Sequence, residues 1–271
     1  MLKANYHTHT NYCDGAHSPE DMVKSAISQG LEHIGFSGHF DPNVPMDKPS
    51  YKKEIRRLQE EYKETIDIFL GAEVDQLYDV REAEDCEYII GSTHSLSIDG
   101  QTPSVDDTPE KLEILCNDHF GGDFYKLTKA YYELEAKVVD IVHPDFIGHF
   151  DIVTKFNGDG RYWDESSRRY LDPALETLEH LTGYGIPFEI NTAAFYRGNR
   201  DQFYPSDTLL KALHGFGGRI ILSSDAHNKD VITGAFDIAV KKAMECGFTH
   251  TCILVHENGR KTWKELPLDS L

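Results

Sequence analysis

The chain has 271 residues, of which 39% are hydrophobic and 11% aromatic, so it has enough apolar material for a folded core and is not intrinsically disordered. Its 46 acidic and 27 basic residues give a formal net charge of −19. This negative charge repels a phosphate backbone over most of the surface and so disfavours nucleic-acid binding. Divalent cations bound to carboxylates would offset part of the charge.

The cysteines are odd in number, scattered, and form no C-x-x-C pair; they are Cys13, Cys86, Cys116, Cys246 and Cys252. This pattern is typical of a reduced cytoplasmic protein without a disulfide framework. Neither the apolar segment of a signal peptide nor a run long enough to cross a membrane is present. We therefore expect a cytoplasmic protein with no membrane partner, and the sequence gives no sign of its oligomeric state.

Short β-type runs alternate with longer amphipathic stretches along the chain. The predicted strands are residues 4–9, 33–38, 67–74, 87–94, 145–151, 187–192, 219–225 and 251–256. The predicted helices are residues 18–30, 50–66, 123–140, 173–185, 205–218 and 230–247. Several of these helices open on Ser or Asp together with Pro and close on Gly, as capped helices do.

This alternation is typical of parallel strands with helices packed outside them. Seven or eight such units favour a closed, TIM-like barrel, and an open doubly wound sheet is the alternative. No linker, low-complexity tract or break in composition divides the chain, so we expect one domain over residues 1–271. The least regular stretch, residues 97–109, is expected to form a long loop above the barrel.

Metal-binding residue types recur where the predicted strands end. These strand-end residues are His39, Glu73, His94, His149, Asp225 and His227. The carboxyl ends of all strands of a parallel barrel lie on one face, where active sites form, so residues far apart in sequence would meet there. Small residues near these positions, such as Gly71 and Gly148, are expected to leave room for the ligands to approach one another.

His7 and His9 are two residues apart in the first predicted strand, and this spacing puts both side chains on one side of the strand. Asp225 and His227 have the same spacing. Imidazole and carboxylate donors together favour Zn²⁺, Mn²⁺ or Fe²⁺ over Ca²⁺ or Mg²⁺. The histidines and carboxylates are too many for one ion, so we expect two or three divalent ions with one carboxylate bridging them.

These motifs resemble the polymerase and histidinol phosphatase (PHP) family. They are H-x-H at 7–9, CDG at 13–15, FSGH at 36–39, Glu73, His94, IGHFD at 147–151 and SSDAH at 223–227. The resemblance covers nearly the whole chain, and each motif falls in the family's order. It implies a distorted (βα)7 TIM-like barrel of parallel strands with outer helices, and a trinuclear metal site.

The resemblance implies three sets of metal ligands in this chain. The first is His7, His9, Glu73 and Asp225; the second is Glu73, His94 and His149, with Glu73 bridging; the third is His39, His227 and a residue of the 13–17 loop. In that loop Asp14 is the closer match and His17 the competitor. His143 is the alternative to His149. Cys13 is expected to be a small buried apolar residue, with a soft metal ligand as the alternative.

Residues 148–156 and 189–206 resemble the L-histidinol-phosphate phosphatases of this family. Arg197 and Arg200 lie just past a predicted strand end, and Lys155 stands where some relatives have arginine, so these three are the candidate phosphate-binding residues. The implied reaction is metal-assisted hydrolysis of L-histidinol phosphate, a small phosphorylated substrate. Asp225 or His227 would pass a proton to the leaving alkoxide, and the acidic stretch 97–107 would face the cationic leaving group.

Three other functions remain open. A PHP phosphodiesterase or exonuclease would carry a basic groove or polymerase modules, and a metal-dependent amidohydrolase often uses a carboxylated lysine where this chain offers Glu73. A non-catalytic metal-binding protein would hydrolyse no phosphoester. Asp75 and Glu189 share a strand face with proposed ligands, either as hydrogen-bond partners of ligand histidines or as charges on the barrel rim.

Overall fold

The computed structural model describes residues 3–257 and 260–271. Seven parallel strands form one sheet in chain order: β1 (Ala4–Asn5), β2 (His33–Phe36), β3 (Asp67–Asp75), β4 (Tyr88–Ser92), β5 (Phe146–Ile147), β6 (Pro187–Asn191) and β7 (Arg219–Ser223). Each strand pairs with its sequence neighbour, as expected when βα units follow one another with right-handed crossovers.

The sheet closes just past the ends of β1 and β7. The backbone nitrogen of His9 donates to the carbonyl of Ala226 at 2.9 Å, and the nitrogen of Ala226 donates to the carbonyl of His7 at 3.2 Å. The seven strands therefore form a nearly closed barrel, which confirms the predicted (βα)7 class and excludes the open sheet.

Helices surround the barrel. They are α1 (Pro19–Ser28), α2 (Lys48–Tyr62), α3 (Pro109–Phe120), α4 (Phe124–Glu135), α5 (Val138–Val142), α6 (Arg168–Thr182), α7 (Ala193–Tyr196), α8 (Asp207–Gly215) and α9 (Phe236–Glu245). The side chains of Ser18, Asp47 and Thr108 cap α1, α2 and α3, each with proline in the first turn. No helix in the described part of the chain is both long and apolar enough to span a bilayer.

The eighth predicted strand lies outside the barrel sheet. It is β8 (His250–Glu257), and it pairs antiparallel with β9 (Arg260–Pro267), which the sequence analysis did not predict. Because the segments that follow β1 and β7 pair with each other, the barrel leaves no edge for an eighth parallel strand. Only two residues separate β8 from β9, and antiparallel strands can be joined this closely whereas parallel strands cannot.

The barrel interior is filled with large side chains, among them Tyr6, Phe69 and Tyr88, and β8 packs Leu254 against its amino-terminal end. Tyr88 donates a hydrogen bond to the carbonyl of Tyr6, and Tyr6 donates one to the carbonyl of Leu254. A Cβ at Gly71 would come within 2.2 Å of the Tyr88 ring. This glycine was expected to make room for metal ligands, but it makes room for a core side chain instead.

Several predicted boundaries differ from the structure; for example, α6 begins at Arg168 where residue 173 was expected, and α9 begins at Phe236 where residue 230 was expected. The stretch predicted as one helix over 123–140 is two helices, α4 and α5, which are interrupted at residues 136–137. The predicted loop 97–109 folds back on itself like a short hairpin. Ser95, just before it, forms an antiparallel bridge with Ser104, and Ile98 forms one with Gln101. The loop ends at α3, which sequence periodicity did not reveal because the buried Leu112, Leu115 and Cys116 lie close together and the apolar Ile114 among them is exposed.

Candidate metal centre

The proposed ligands gather at the carboxyl end of the barrel, because each lies at or just after a strand end. His7 and His9 follow β1, His39 follows β2, Glu73 lies in β3, His94 follows β4, His149 follows β5, and Asp225 and His227 follow β7. Asp14 reaches the same place from the loop after β1. The barrel thus brings together residues that are more than two hundred positions apart.

Glu73 lies at the centre of this cluster and is only 2% exposed. Its Oε1 lies 2.8 Å from His149 Nε2 and 3.2 Å from His94 Nε2. Its Oε2 lies 3.1 Å from His39 Nδ1, and 3.3 Å and 3.5 Å from the Nε2 atoms of His7 and His9. One carboxylate therefore faces five imidazoles, which is the arrangement expected of a bridging ligand.

Asp225 faces the other side of the first histidine pair. Its Oδ1 lies 3.3 Å from His9 Nε2 and 3.6 Å from His7 Nε2. The residue has φ of 51°, in the left-handed region that non-glycine residues rarely adopt. Strained backbone of this kind persists where the surrounding structure holds it, and at β7 it turns the carboxylate toward the cluster.

The loop after β1 contributes Asp14, whose Oδ2 lies 3.1 Å from His227 Nε2 and 3.6 Å from His39 Nε2. A Cβ at Gly15 would come within 2.5 Å of the Thr10 backbone nitrogen, so the loop turns tightly back on itself here. Of the two residues considered for this loop, the structure places Asp14 in the cluster, and His17 lies in none of the described metal-competent groups.

The donor atoms fit cations. His7 Nε2, His9 Nε2 and Glu73 Oε2 are buried and have no hydrogen-bond partner in the described chain. An unpaired buried polar atom costs about 1–3 kcal/mol, which a shared cation would relieve. Three sets have ligand atoms within 4.8 Å of one another: His9, Asp14, His39 and His227; His7, Glu73 and His149; and His7, His9 and Asp225. This nitrogen and oxygen chemistry suits two or three Zn²⁺, Mn²⁺ or Fe²⁺ ions.

The cluster is strongly coupled electrostatically. Burial would raise the pKa of Glu73, but the surrounding histidines outweigh it and hold that pKa well below its usual range. Burial would lower the pKa of His94, yet the charge of Glu73 raises it to about 10. His9 behaves in the opposite way, since burial and the neighbouring histidines lower its pKa to about 3. Divalent ions would displace protons held on residues such as His94.

A second layer of carboxylates stands behind the histidines. Glu189 is fully buried, with Oε1 2.7 Å from His7 Nδ1, while Oε2 accepts from the His149 backbone nitrogen at 2.8 Å. Asp75 is 1% exposed and accepts from the His94 backbone nitrogen at 2.7 Å. Of the two roles considered for this pair, these contacts match hydrogen-bond partners of ligand histidines and not rim charges.

Other residues considered from the sequence lie apart from the cluster or at its margin. His143 is exposed at the end of α5, before β5 begins, whereas His149 follows that strand. Cys13 is half-buried, and its Sγ lies 3.7 Å from His9 Nδ1 and 3.5 Å from the Thr10 carbonyl. Sequence reasoning missed Ser92, whose hydroxyl donates to Glu73 Oε1 at 2.7 Å. The sequence feature that could have identified Ser92 is its position two residues before the ligand His94.

A cavity of about 580 Å³ opens above the cluster. Its lining includes the ligands Glu73, Asp225 and His227, and two of the three candidate phosphate-binding residues, Lys155 and Arg197. Arg197 Nη2 donates to the Asp225 carbonyl at 3.0 Å and lies 2.8 Å from His227 Nδ1.

Arg200 is placed differently from expectation. It is absent from the cavity lining and only 6% exposed. Its guanidinium forms a bidentate pair with Glu165 at 2.8 and 2.9 Å and donates to the Thr154 carbonyl at 2.6 Å. With both terminal nitrogens engaged in this way and the residue away from the cavity, Arg200 links two loops of the fold and does not belong to the phosphate-binding set.

The family model described as the PHP domain matches residues 5–193, which is well over half of the chain. The chain belongs to the PHP family. It is 28% identical to a histidinol-phosphatase of Lactococcus lactis, covering 84% of this chain and 85% of that relative. It is 24% identical to a histidinol-phosphatase of Bacillus subtilis, covering 89% of this chain and all of that relative.

Solved structures share the PHP barrel. A Listeria monocytogenes protein has a TM-score of 0.74 at 21% identity and covers 87% of this chain and 99% of its own. The histidinol phosphate phosphatase of Lactococcus lactis, solved with zinc, L-histidinol and phosphate, has a TM-score of 0.68 at 24% identity. That alignment covers 97% of this chain and all of the Lactococcus chain. At these identities the likeness establishes the fold.

Proposed function

We propose that this PHP protein hydrolyses L-histidinol phosphate to L-histidinol and phosphate with two or three bound divalent metal ions. The observation that carries the proposal is the convergence of nine nitrogen and oxygen ligands beside a cavity that also exposes two cationic side chains. Those ligands are His7, His9, Asp14, His39, Glu73, His94, His149, Asp225 and His227. Relatives named histidinol-phosphatase, matched over 85% and 100% of their length, support the choice of substrate.

The residues of the site would have distinct roles in this hydrolysis. Glu73 and Asp225 hold the cluster together, because each faces several imidazoles at once. Bound divalent ions would supply positive charge that stabilises the phosphoryl group and lowers the pKa of the attacking water. Lys155 and Arg197 line the cavity and would bind the phosphoryl oxygens. Asp225 and His227 both line the cavity, and either would take a proton from the attacking water and pass it to the leaving alkoxide.

Steady-state kinetics on L-histidinol phosphate test this proposal. The enzyme is stripped with a chelator, reloaded with Mn²⁺ or Zn²⁺, and compared on L-histidinol phosphate, an aryl phosphate, a nucleotide diester and an amide. We expect activity to return with metal, and kcat/KM to be highest for L-histidinol phosphate.

Each alternative function gives a different result. A higher kcat/KM on the diester would indicate a phosphodiesterase, and turnover of the amide alone would indicate an amidohydrolase. Stoichiometric metal with no hydrolysis would indicate a binding protein. A kcat/KM for L-histidinol phosphate no better than for the aryl phosphate would reject the substrate while keeping the reaction type.

A further inference from the structure

Three carboxylates that belong to none of the metal-competent groups line the cavity: Asp41, Asp106 and Asp107. Two of them are already neutralised by lysine. Asp106 Oδ2 lies 3.2 Å from Lys155 Nζ, and Asp107 pairs with Lys111 one helical turn further along the chain. The loop expected from the sequence to face a cationic leaving group therefore has little unpaired charge to offer.

Asp41 differs from both. It is only 9% exposed, and no lysine or arginine among residues 3–257 and 260–271 lies within ion-pair distance of it. Its Oδ1 accepts from the Asn43 backbone nitrogen at 2.6 Å, which fixes the side chain, and its Oδ2 accepts no hydrogen bond within the described chain. Because Asp41 lines the cavity, its free Oδ2 is an acceptor open to a ligand there, and a cation is the partner that complements an unpaired carboxylate.

The loop that carries Asp41 is tied to its neighbours. Asn43 Nδ2 donates to the Tyr78 hydroxyl at 2.6 Å, and that hydroxyl donates to Thr102 Oγ1 at 3.3 Å. The loop after β2 is thereby linked to the loops that follow β3 and β4. Asp41 is held on the cavity wall before any ligand arrives, which limits the ordering cost of binding.

We propose that Asp41 binds the ammonium group of the substrate's leaving group and thereby selects cationic phosphomonoesters. This inference rests on the proposed phosphatase function, since L-histidinol phosphate carries an anionic phosphate and an ammonium on one small molecule. For the first group the cavity offers Arg197 together with Lys155, which already contacts Asp106, and for the second it offers the unpaired Asp41. Charges of opposite sign at fixed places discriminate between ligands more than they add affinity.

The test compares wild type with Asp41→Asn, which keeps the shape and the Oδ1 acceptor but removes the charge. Substrates are L-histidinol phosphate and a matched pair, 2-aminoethyl phosphate and ethyl phosphate, which differ by the ammonium group. We expect kcat/KM for the two ammonium-bearing substrates to fall about 10- to 100-fold, the range for a hydrogen bond to a charged group, while ethyl phosphate is unaffected. Asp79→Asn removes the same charge outside the cavity and should change none of the three.

The outcomes separate this inference from the proposed function. An equal loss on all three substrates, or no loss on any, overturns the role of Asp41. If wild type does not prefer L-histidinol phosphate but prefers 2-aminoethyl over ethyl phosphate, and Asp41→Asn abolishes that preference, the named substrate fails and Asp41 stands. If wild type ignores the ammonium group altogether, the inference fails even where phosphatase activity is high.

Discussion

At the scale of single residues, Glu189 shows how a side chain outside the cavity lining can still govern the metal centre. It contacts the ring of His7 with one oxygen, and the backbone of His149 and the amide of Asn191 with the other. A carboxylate on Nδ1 fixes the tautomer and leaves Nε2, which is buried and unpaired here, as the ligand atom.

We expect Glu189→Gln to weaken metal binding about 10- to 100-fold, because an amide neither fixes the tautomer of His7 nor raises its basicity as a carboxylate does. A chelator-competition titration with Zn²⁺ or Mn²⁺ measures this affinity. Glu179→Gln on the exposed face of α6 is the matched control and should bind metal like wild type. Unchanged affinity in a folded Glu189→Gln protein would contradict the positioning role.

At the scale of elements, the segment after β6 sends two arginines to different surroundings. Arg197, at the end of α7, reaches Asp225 and the cavity, whereas Arg200, three residues later, turns back to pair with Glu165. Sequence alone could propose both for phosphate binding, because the choice depends on a partner 35 positions away.

Arg200→Ala should therefore destabilise the fold and leave the substrate KM of the folded fraction near wild type. Removing one partner of a fully buried ion pair costs about 3–5 kcal/mol, and we expect a smaller loss here because the remaining partner, Glu165, is 22% exposed and can be solvated. Urea unfolding measures the loss, and Arg168→Ala on exposed α6 serves as the control, since its side chain is 89% exposed. A normal unfolding curve with a raised KM would return Arg200 to the phosphate site.

The sequence predicted those features that depend on neighbouring residues, and it missed those that depend on residues far along the chain. The (βα)7 barrel and the strand-end histidines were predictable, because repeated βα units and residues such as His39 and His94 are recognised from their own neighbourhoods. The β8–β9 hairpin was not, since its pairing depends on whether the barrel offers an edge. Asp41 was missed for a related reason, because an unpaired charge is defined by the absence of partners from elsewhere in the chain.

At the scale of the whole molecule, the two ends of the barrel differ in composition. The carboxyl end carries the proposed metal centre, and the amino end is closed by the β8–β9 hairpin. His256 of β8 anchors that hairpin: its Nδ1 lies 2.6 Å from Asp67 Oδ1, its Nε2 lies 2.8 Å from Glu87 Oε1, and its ring stacks on Phe69 at 4.2 Å. Both ring nitrogens face carboxylates, and only the imidazolium can donate to both.

Burial lowers the pKa of His256, but its hydrogen bonds to Asp67 and Glu87 outweigh this and raise the pKa above its ordinary value. A raised folded-state pKa contributes stability that is fully present below the unfolded-state pKa of about 6.5 and is lost as pH rises through the folded-state pKa. The difference in unfolding free energy between wild type and His256→Gln should therefore be larger at about pH 6 than at about pH 9. Contributions from the rest of the molecule are common to both proteins and cancel in this difference. His250→Gln, at the exposed start of β8, is the control and should show no such trend. A difference that does not vary with pH would mean that His256 holds the hairpin by packing on Phe69 and not by its charge.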